Sequence, residues 1–168
     1  MNVIDNFLPE EEFKFLQDLI VFNDDFPFYL NDSITYPENT HKVWEWYATH
    51  LFYNNDQPTS DFYNHIQTIL ISKFRNLPGG FRTLLRVKAN FYPSTPVLQE
   101  HKRHYDYEWS HSGAVFSLNT CDGFTRLSDG SKVDSVANRL LLFDPSEKHN
   151  STSTTNQRGR FNINFNWL

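Results

Sequence analysis

The chain is poor in sulfur, holding one cysteine, Cys121, and one methionine, Met1. A lone thiol excludes an intramolecular disulfide and a zinc site built from cysteines, and makes a reducing, cytoplasmic setting the expectation. Basic excess is missing too: 15 Lys and Arg against 20 Asp and Glu give a net charge of −5, the wrong sign for the phosphate neutralisation behind non-specific nucleic-acid binding. No apolar run approaches the ~18 residues of a membrane-spanning helix. The opening Met1-Asn2-Val3-Ile4-Asp5 lacks the basic-then-apolar layout of a signal peptide. Neither a nucleic-acid nor a membrane partner is expected. Repeats, low-complexity tracts and linkers are also missing, so residues 1–168 read as one domain.

What the chain has in abundance is rings: 17% of it is aromatic, with sixteen Phe, eight Tyr and four Trp. Rings fill a core quickly, so a short chain can still wall a cavity. Charge is uneven: the first 75 residues carry twelve acids and four Lys or Arg, the remainder eight acids and eleven Lys or Arg. A positive second half suits a small anionic ligand.

Two helices are predicted first. Pro9 followed by Glu10, Glu11 and Glu12 is a helix start, and Phe13, Leu16, Leu19 and Ile20 share one face. A second helix begins at Ser60, with Phe62, Ile66, Ile69, Leu70 and Phe74 on one side, and ends at Leu77-Pro78-Gly79-Gly80. Residues 22–58 between them read as irregular and aromatic. After Gly80 the period changes to two. In 81–92, Leu85, Val87, Ala89 and Phe91 alternate with Arg86, Lys88, Asn90 and Tyr92; in 158–167, Phe161, Ile163, Phe165 and Trp167 alternate with Arg160, Asn162, Asn164 and Asn166. Further strands are expected at 113–119, around 124–127, at 132–136 and at 139–143, with Asp129-Gly130 as a hairpin signal. This is an α+β pattern, with 1–79 as mainly helical or irregular support and 80–168 as an all-β barrel or sandwich.

Of seven histidines, His104 stands out because Asp106 follows two residues later. On a strand such residues point to one side and can converge on an ion. His149, at the end of the 139–143 strand, completes a set of two His and one carboxylate, the facial triad of non-haem Fe(II) oxygenases. An oxygenase of this kind uses a dicarboxylate co-substrate whose distal carboxylate needs a fixed cation. Arg160 opens the last strand, and arginine's planar fork suits bidentate carboxylate capture. His101 is a rival ligand, but the acid it would need at position 103 is an arginine.

These residues sit in a chain that resembles the 2-oxoglutarate/Fe(II)-dependent oxygenases of the prolyl 4-hydroxylase-like branch, and most nearly the small members encoded by marine bacteriophages. The resemblance is carried by Leu85-Arg86-Val87-Lys88-Ala89-Asn90-Phe91-Tyr92, His104-Tyr105-Asp106, Phe116-Ser117-Leu118-Asn119-Thr120-Cys121-Asp122-Gly123-Phe124-Thr125, Asn138-Arg139-Leu140-Leu141-Leu142-Phe143 and Lys148-His149 through Arg160-Phe161-Asn162-Ile163-Asn164-Phe165, with Val3-Ile4-Asp5-Asn6-Phe7-Leu8 at the start. It implies a double-stranded β-helix (jelly-roll, cupin-like) core with N-terminal supporting helices. It also implies His104, Asp106 and His149 as iron ligands, Arg160 as the anchor of the 2-oxoglutarate C5 carboxylate, and O2 as oxidant. The expected reaction is hydroxylation of a peptide or small molecule, in the host cytoplasm if the protein is phage-encoded. Family prolyl hydroxylases often carry Tyr where this chain has Ser117; Tyr92 is the expected substitute, and Asn90 is placed with it in the co-substrate site. The strand parities leave Lys88, Asn162 and Asn164 between solvent and cavity.

Two rival readings use the same residues: a cupin-like binding module without chemistry, and a hydrolase with zinc on the triad. A nucleobase demethylase is disfavoured, because such enzymes place a second arginine further along the strand from the anchor, whereas Asn166 lies six residues after Arg160. His41, His50, His65 and His111 are expected to be surface or core residues. Trp44, Trp46, Tyr47, Phe52 and Tyr53 could form a substrate-gripping aromatic patch, but are expected rather to pack residues 22–58 against the barrel.

Overall fold

Alternation of apolar and polar residues along β5 (Leu84–Pro93) and β10 (Gly159–Trp167) builds the centre of the molecule. In the computed structural model, which describes residues 1–34, 44–77 and 80–168, these two strands pair antiparallel over their whole length. β10 also pairs with β6 (Ser112–Ser117), which pairs with β9 (Arg139–Phe143), and β1 (Asn2–Ile4) closes that edge. On the other edge β5 pairs with β3 (Tyr47–Asn54), which carries β2 (Tyr29–Asn31) and β4 (Gln57–Pro58).

A smaller layer faces this sheet. β7 (Phe124–Arg126) and β8 (Lys132–Asp134) form the hairpin expected at Asp129-Gly130, with Gly130 at φ +87°, where a side chain would be strained. Residues 149–154 lie beside β7 through the Arg126–Asn150 bridge. Residues 94–104 lie beyond them, through bridges Ser94–Thr154, Glu100–Thr152 and His104–His149. From β5 onward the chain therefore steps between the two layers: β5, 94–104, β6, β7 with β8, β9, 149–154, β10. That succession is a double-stranded β-helix, the expected fold.

α1 (Glu10–Val21) and the continuous helical run of α2 (Tyr63–Ile66), a π-helical turn (Gln67–Ile71) and α3 (Ser72–Phe74) lie on the outside of the large sheet. Leu16, Ile20, Ile66, Leu70 and Phe74 join one core with Val87, Ala89, Phe116, Ile163 and Phe165. Ser60 sits before α2, its Oγ accepting the Phe62 N–H.

Two expectations need correction. Residues 22–58 are not simply irregular, because β3 is an eight-residue strand inside the sheet. Its alternation is disguised: the buried positions are Ala48, His50 and Phe52, and His50 is made tolerable by donating from Nδ1 to Pro27 O and accepting at Nε2 from Ser60 Oγ. For the same reason residues 1–79 are more than helical support, since β1, β2, β3 and β4 all belong to the large sheet. The expectations for His41 and for Pro78-Gly79 lie outside the described residues.

Candidate metal centre

His104 and His149 are locked together by their backbones. The His104 N–H donates to His149 O at 2.9 Å and the His149 N–H to His104 O at 2.8 Å. In such an antiparallel pair both side chains leave one face, and the ring centroids lie 4.7 Å apart. Asp106 follows on the same segment, its N–H donating to Pro145 O at 2.9 Å. One ligand atom from each of His104, Asp106 and His149 falls within 4.8 Å of the others.

The imidazoles are prepared as ligands. His149 Nδ1 donates to Glu147 O at 2.9 Å and His104 Nδ1 faces Lys102 O at 3.4 Å, which leaves both Nε2 lone pairs for an ion. Burial pushes the His104 pKa down to about 4 with help from His149, and burial lowers that of His149 too, so both rings are neutral at pH 7. Burial alone would raise the Asp106 pKa, but the charges of Arg86 and Lys88 outweigh it and hold the carboxyl well below its ordinary range. Arg86 Nη2 lies 3.0 Å from Asp106 Oδ1, and Asn164 Nδ2 donates to Oδ2 at 3.4 Å. Two neutral nitrogens and one carboxylate oxygen suit a divalent ion such as Fe(II).

The ligands open into a cavity floored by the inner face of β5 and β10. Across these strands Arg160 faces Tyr92, Asn162 faces Asn90, Asn164 faces Lys88 and Asn166 faces Arg86. This face is polar and yet shut away from bulk water: Arg160 is 1% exposed, Asn162 3%, Asn164 6% and Asn90 2%. Arg160 Nη1 donates to Phe124 O at 2.7 Å and Nη2 to Thr125 Oγ1 at 2.8 Å, while its Nε has no partner and no carboxylate neutralises it among the described residues. A buried, unpaired cation is costly unless an anion completes it, and a dicarboxylate co-substrate fits that need. Among the described residues, two buried side-chain atoms of this cavity lack hydrogen-bond partners, Asn90 Oδ1 and Arg160 Nε, and Arg86 Nε is a third behind Asp106. Orphaned atoms gathered in one cavity mark a ligand's place.

All six site residues expected from the sequence (His104, Asp106, His149, Arg160, Tyr92 and Asn90) line this cavity. Lys88, Asn162 and Asn164, which the sequence left between solvent and cavity, line it as well, together with Val115, Thr125 and Ser151. Thr125 and Ser151 gave no signal in the sequence, being ordinary small polar residues. Tyr92 hydrogen-bonds Ser151 and has the Arg160 guanidinium carbon 5.9 Å from its ring centroid. His101 is outside the cluster: it is buried, pairs Nδ1 with Ser151 Oγ at 2.8 Å and lies against Tyr92. Tyr47 stacks on Tyr92 with centroids 5.7 Å apart, while Phe52 and Tyr53 pack in or against the core, so the aromatic segment both seats itself and backs the site.

No protein-family model matches the chain, and no curated protein matches it in sequence. Solved structures do match it in fold. A prolyl hydroxylase from Trichoplax adhaerens, in complex with a hypoxia inducible factor oxygen degradation domain peptide fragment, gives a TM-score of 0.67 at 15% identity, over 99% of this chain and 82% of that one. A Pseudomonas putida prolyl-4-hydroxylase gives 0.64 at 18% identity, over 99% and 91%. HygX from Streptomyces hygroscopicus, with nickel and 2-oxoglutarate bound, gives 0.61 at 11% identity, over 98% and 81%. At these identities the likeness establishes the fold, which is that of the prolyl hydroxylases and 2-oxoglutarate oxygenases. The expected affinity to phage members gains no support from these neighbours.

Proposed function

We propose that the chain is an Fe(II)- and 2-oxoglutarate-dependent dioxygenase acting as a hydroxylase. One observation carries the reading: three convergent side chains able to ligate a metal share a cavity with a fully buried arginine that has no carboxylate partner among the described residues. His104, Asp106 and His149 would hold the iron. When bound, it supplies the redox chemistry by which 2-oxoglutarate, O2 and a substrate C–H become succinate, CO2 and a C–OH.

The chain's own residues provide the rest. Arg160 receives the distal carboxylate of 2-oxoglutarate, held in place by Phe124 O and Thr125 Oγ1. Tyr92, fixed by Ser151, lies beside that carboxylate, and Asn90 offers an unpartnered Oδ1 from the next rung. Enclosure of this polar face keeps bulk water from competing for these contacts. The substrate on this reading is a peptide or small molecule, and the fold shared with the two prolyl hydroxylases supports a peptidyl proline by analogy. A zinc hydrolase or a cupin-like binding module would use the same three ligands but leave the buried Arg160 without a role.

The test is anaerobic titration of the Fe(II)-loaded protein with 2-oxoglutarate. A visible metal-to-ligand charge-transfer band is expected, absent in His149→Ala. Verified iron binding without a band would refute the oxygenase and favour the hydrolase or binding module.

A further inference from the structure

The inner face of β5 and β10 is a ladder whose two ends both carry positive charge. Side chains two residues apart on a strand lie about 6.6–6.8 Å apart on the same side. From the Arg160–Tyr92 rung to the Asn164–Lys88 rung is four residues, about 13 Å of strand. Asp106 reaches the Asn164–Lys88 rung, through Asn164, and the Asn166–Arg86 rung beyond it, through Arg86. A co-substrate running from Arg160 to the metal ligands therefore ends at the Lys88 rung, which leaves Lys88 beside the metal ligands at the far end from Arg160.

Charge at that end is left over. Lys88 and Arg160 line the cavity and Arg86 stands behind Asp106, so three cations meet one carboxylate, Asp106, which is committed to the metal. A divalent ion adds two positive charges and 2-oxoglutarate removes two, so an excess of about two positive charges persists with both bound. The Lys88 Nζ lies 5.6 Å from the Tyr47 ring centroid and forms no hydrogen bond or salt bridge among the described residues. Arg86 keeps its Nε buried without a hydrogen-bond partner, while its Nη2 is ion-paired with Asp106 at 3.0 Å and its guanidinium is held 5.3 Å from the Tyr107 ring centroid. From this juxtaposition we infer that Lys88, backed by Arg86, receives a carboxylate of the primary substrate, so that the enzyme acts on an anionic substrate. The inference rests on the oxygenase reading above.

Calorimetry on the Zn(II)-loaded protein with 2-oxoglutarate tests it, using two sets of probes. One set is free L-amino acids against their carboxamides. The other is end-blocked prolyl peptides with internal Glu or Asp against the same peptides with Gln or Asn. At least one carboxylate probe is expected to bind at least about tenfold more tightly than its amide, the usual worth of a charge-assisted hydrogen bond. The set in which that preference is seen identifies a free acid or an acidic side chain as the source. Lys88→Met should abolish the preference and Lys88→Arg should restore it, while both keep the 2-oxoglutarate charge-transfer band of the Fe(II) form. Acids and amides binding alike, or no probe of either set binding, would overturn the carboxylate site and leave the oxygenase standing. A band lost in Lys88→Met would also overturn it, by assigning Lys88 to the co-substrate. A band absent from the wild-type protein would remove the oxygenase reading and this inference together.

Discussion

Replacing Arg160 with methionine should separate ligand binding from stability, with opposite signs. The guanidinium is 1% exposed, donates to Phe124 O and Thr125 Oγ1, and faces no carboxylate among the described residues. Burying an unpaired charge costs several kcal/mol. Arg160→Met removes that cost, but leaves Phe124 O short of a donor at about 1–3 kcal/mol. The ligand-free variant should therefore lie within about 2 kcal/mol of the parent, with a gain as the expected sign. Binding should suffer heavily, since a buried charge-assisted contact is worth roughly 2–5 kcal/mol when one partner is truncated, or between one and four orders of magnitude in the 2-oxoglutarate dissociation constant.

Thermal melting of the Mn(II)-loaded protein with and without 2-oxoglutarate reads both effects. At a hundredfold excess of ligand over its dissociation constant the parent gains about 2.7 kcal/mol, equivalent to roughly 5–10 °C for a domain of this size. Arg160→Met should show almost none of that shift at the same ligand concentration. The reasoning fails if the variant keeps the shift. It fails equally if the ligand-free variant loses more than about 3 kcal/mol, because the guanidinium would then be a structural brace whose hydrogen bonds outweigh its desolvation.

Three further perturbations test the surroundings. Burial, with Arg160 and then His104 adding to it, pushes the His101 pKa from 6.5 down to about 3. The ring is thus neutral in the fold, while the unfolded chain takes up a proton below pH 6.5. Stability is lost as pH falls from 6.5 towards 3, with His101 accounting for about 2 kcal/mol between pH 7 and 5; urea midpoints for His101→Asn should depend less on pH over that interval, and an unchanged slope would refute the assignment. A Cβ at Gly123 would meet Ser153 O at 2.7 Å and Arg160 Cδ at 2.9 Å. Gly123→Ala should therefore shift the arginine and weaken 2-oxoglutarate binding at least about tenfold by calorimetry. Asn138, at φ +62°, accepts the Leu8 N–H on Oδ1 at 2.9 Å and donates from Nδ2 to Leu8 O at 2.8 Å. Asn138→Gly preserves the backbone geometry and loses only this clamp, for an expected cost of about 1–3 kcal/mol in urea denaturation.

The convergence of His104, Asp106 and His149 and the inward place of Arg160 were legible because strand parity and chemical type coincide. His104 and Asp106 are two apart, and Arg160 is the only cation on its face of a cleanly alternating strand. Of the small layer the β7–β8 hairpin was legible, through its Asp129-Gly130 turn, and the segments beside it were not. Residues 149–154, His149-Asn150-Ser151-Thr152-Ser153-Thr154, carry no apolar alternation and read as a polar loop, yet all six are buried. They can be buried because their backbones bridge two neighbouring segments and their inner side chains meet a polar cavity instead of an apolar core. β3 escaped for the same reason in miniature, its inward His50 being polar but fully hydrogen-bonded.

The same logic explains why one strand, β10, can be buried at every residue while every second residue is polar. Its outer face, Phe161, Ile163, Phe165 and Trp167, packs into the core, each such side chain stabilising the fold by about 1.5–3 kcal/mol. Its inner face is hydrogen-bonded largely within itself: Asn90 Nδ2 donates to Asn162 Oδ1 at 2.9 Å, and Asn166 Nδ2 donates to Asn164 Oδ1 at 2.9 Å. Those bonds hold the asparagines in place and leave Arg160 Nε and Asn90 Oδ1 as the unspent contacts among the described residues that line the cavity. A site in which only the ligand-facing atoms are unsatisfied is already organised before anything binds, so little ordering cost remains for the ligand to meet. The apolar face of β10 thus holds the strand in the fold, and its polar face holds the cavity in register with the metal ligands.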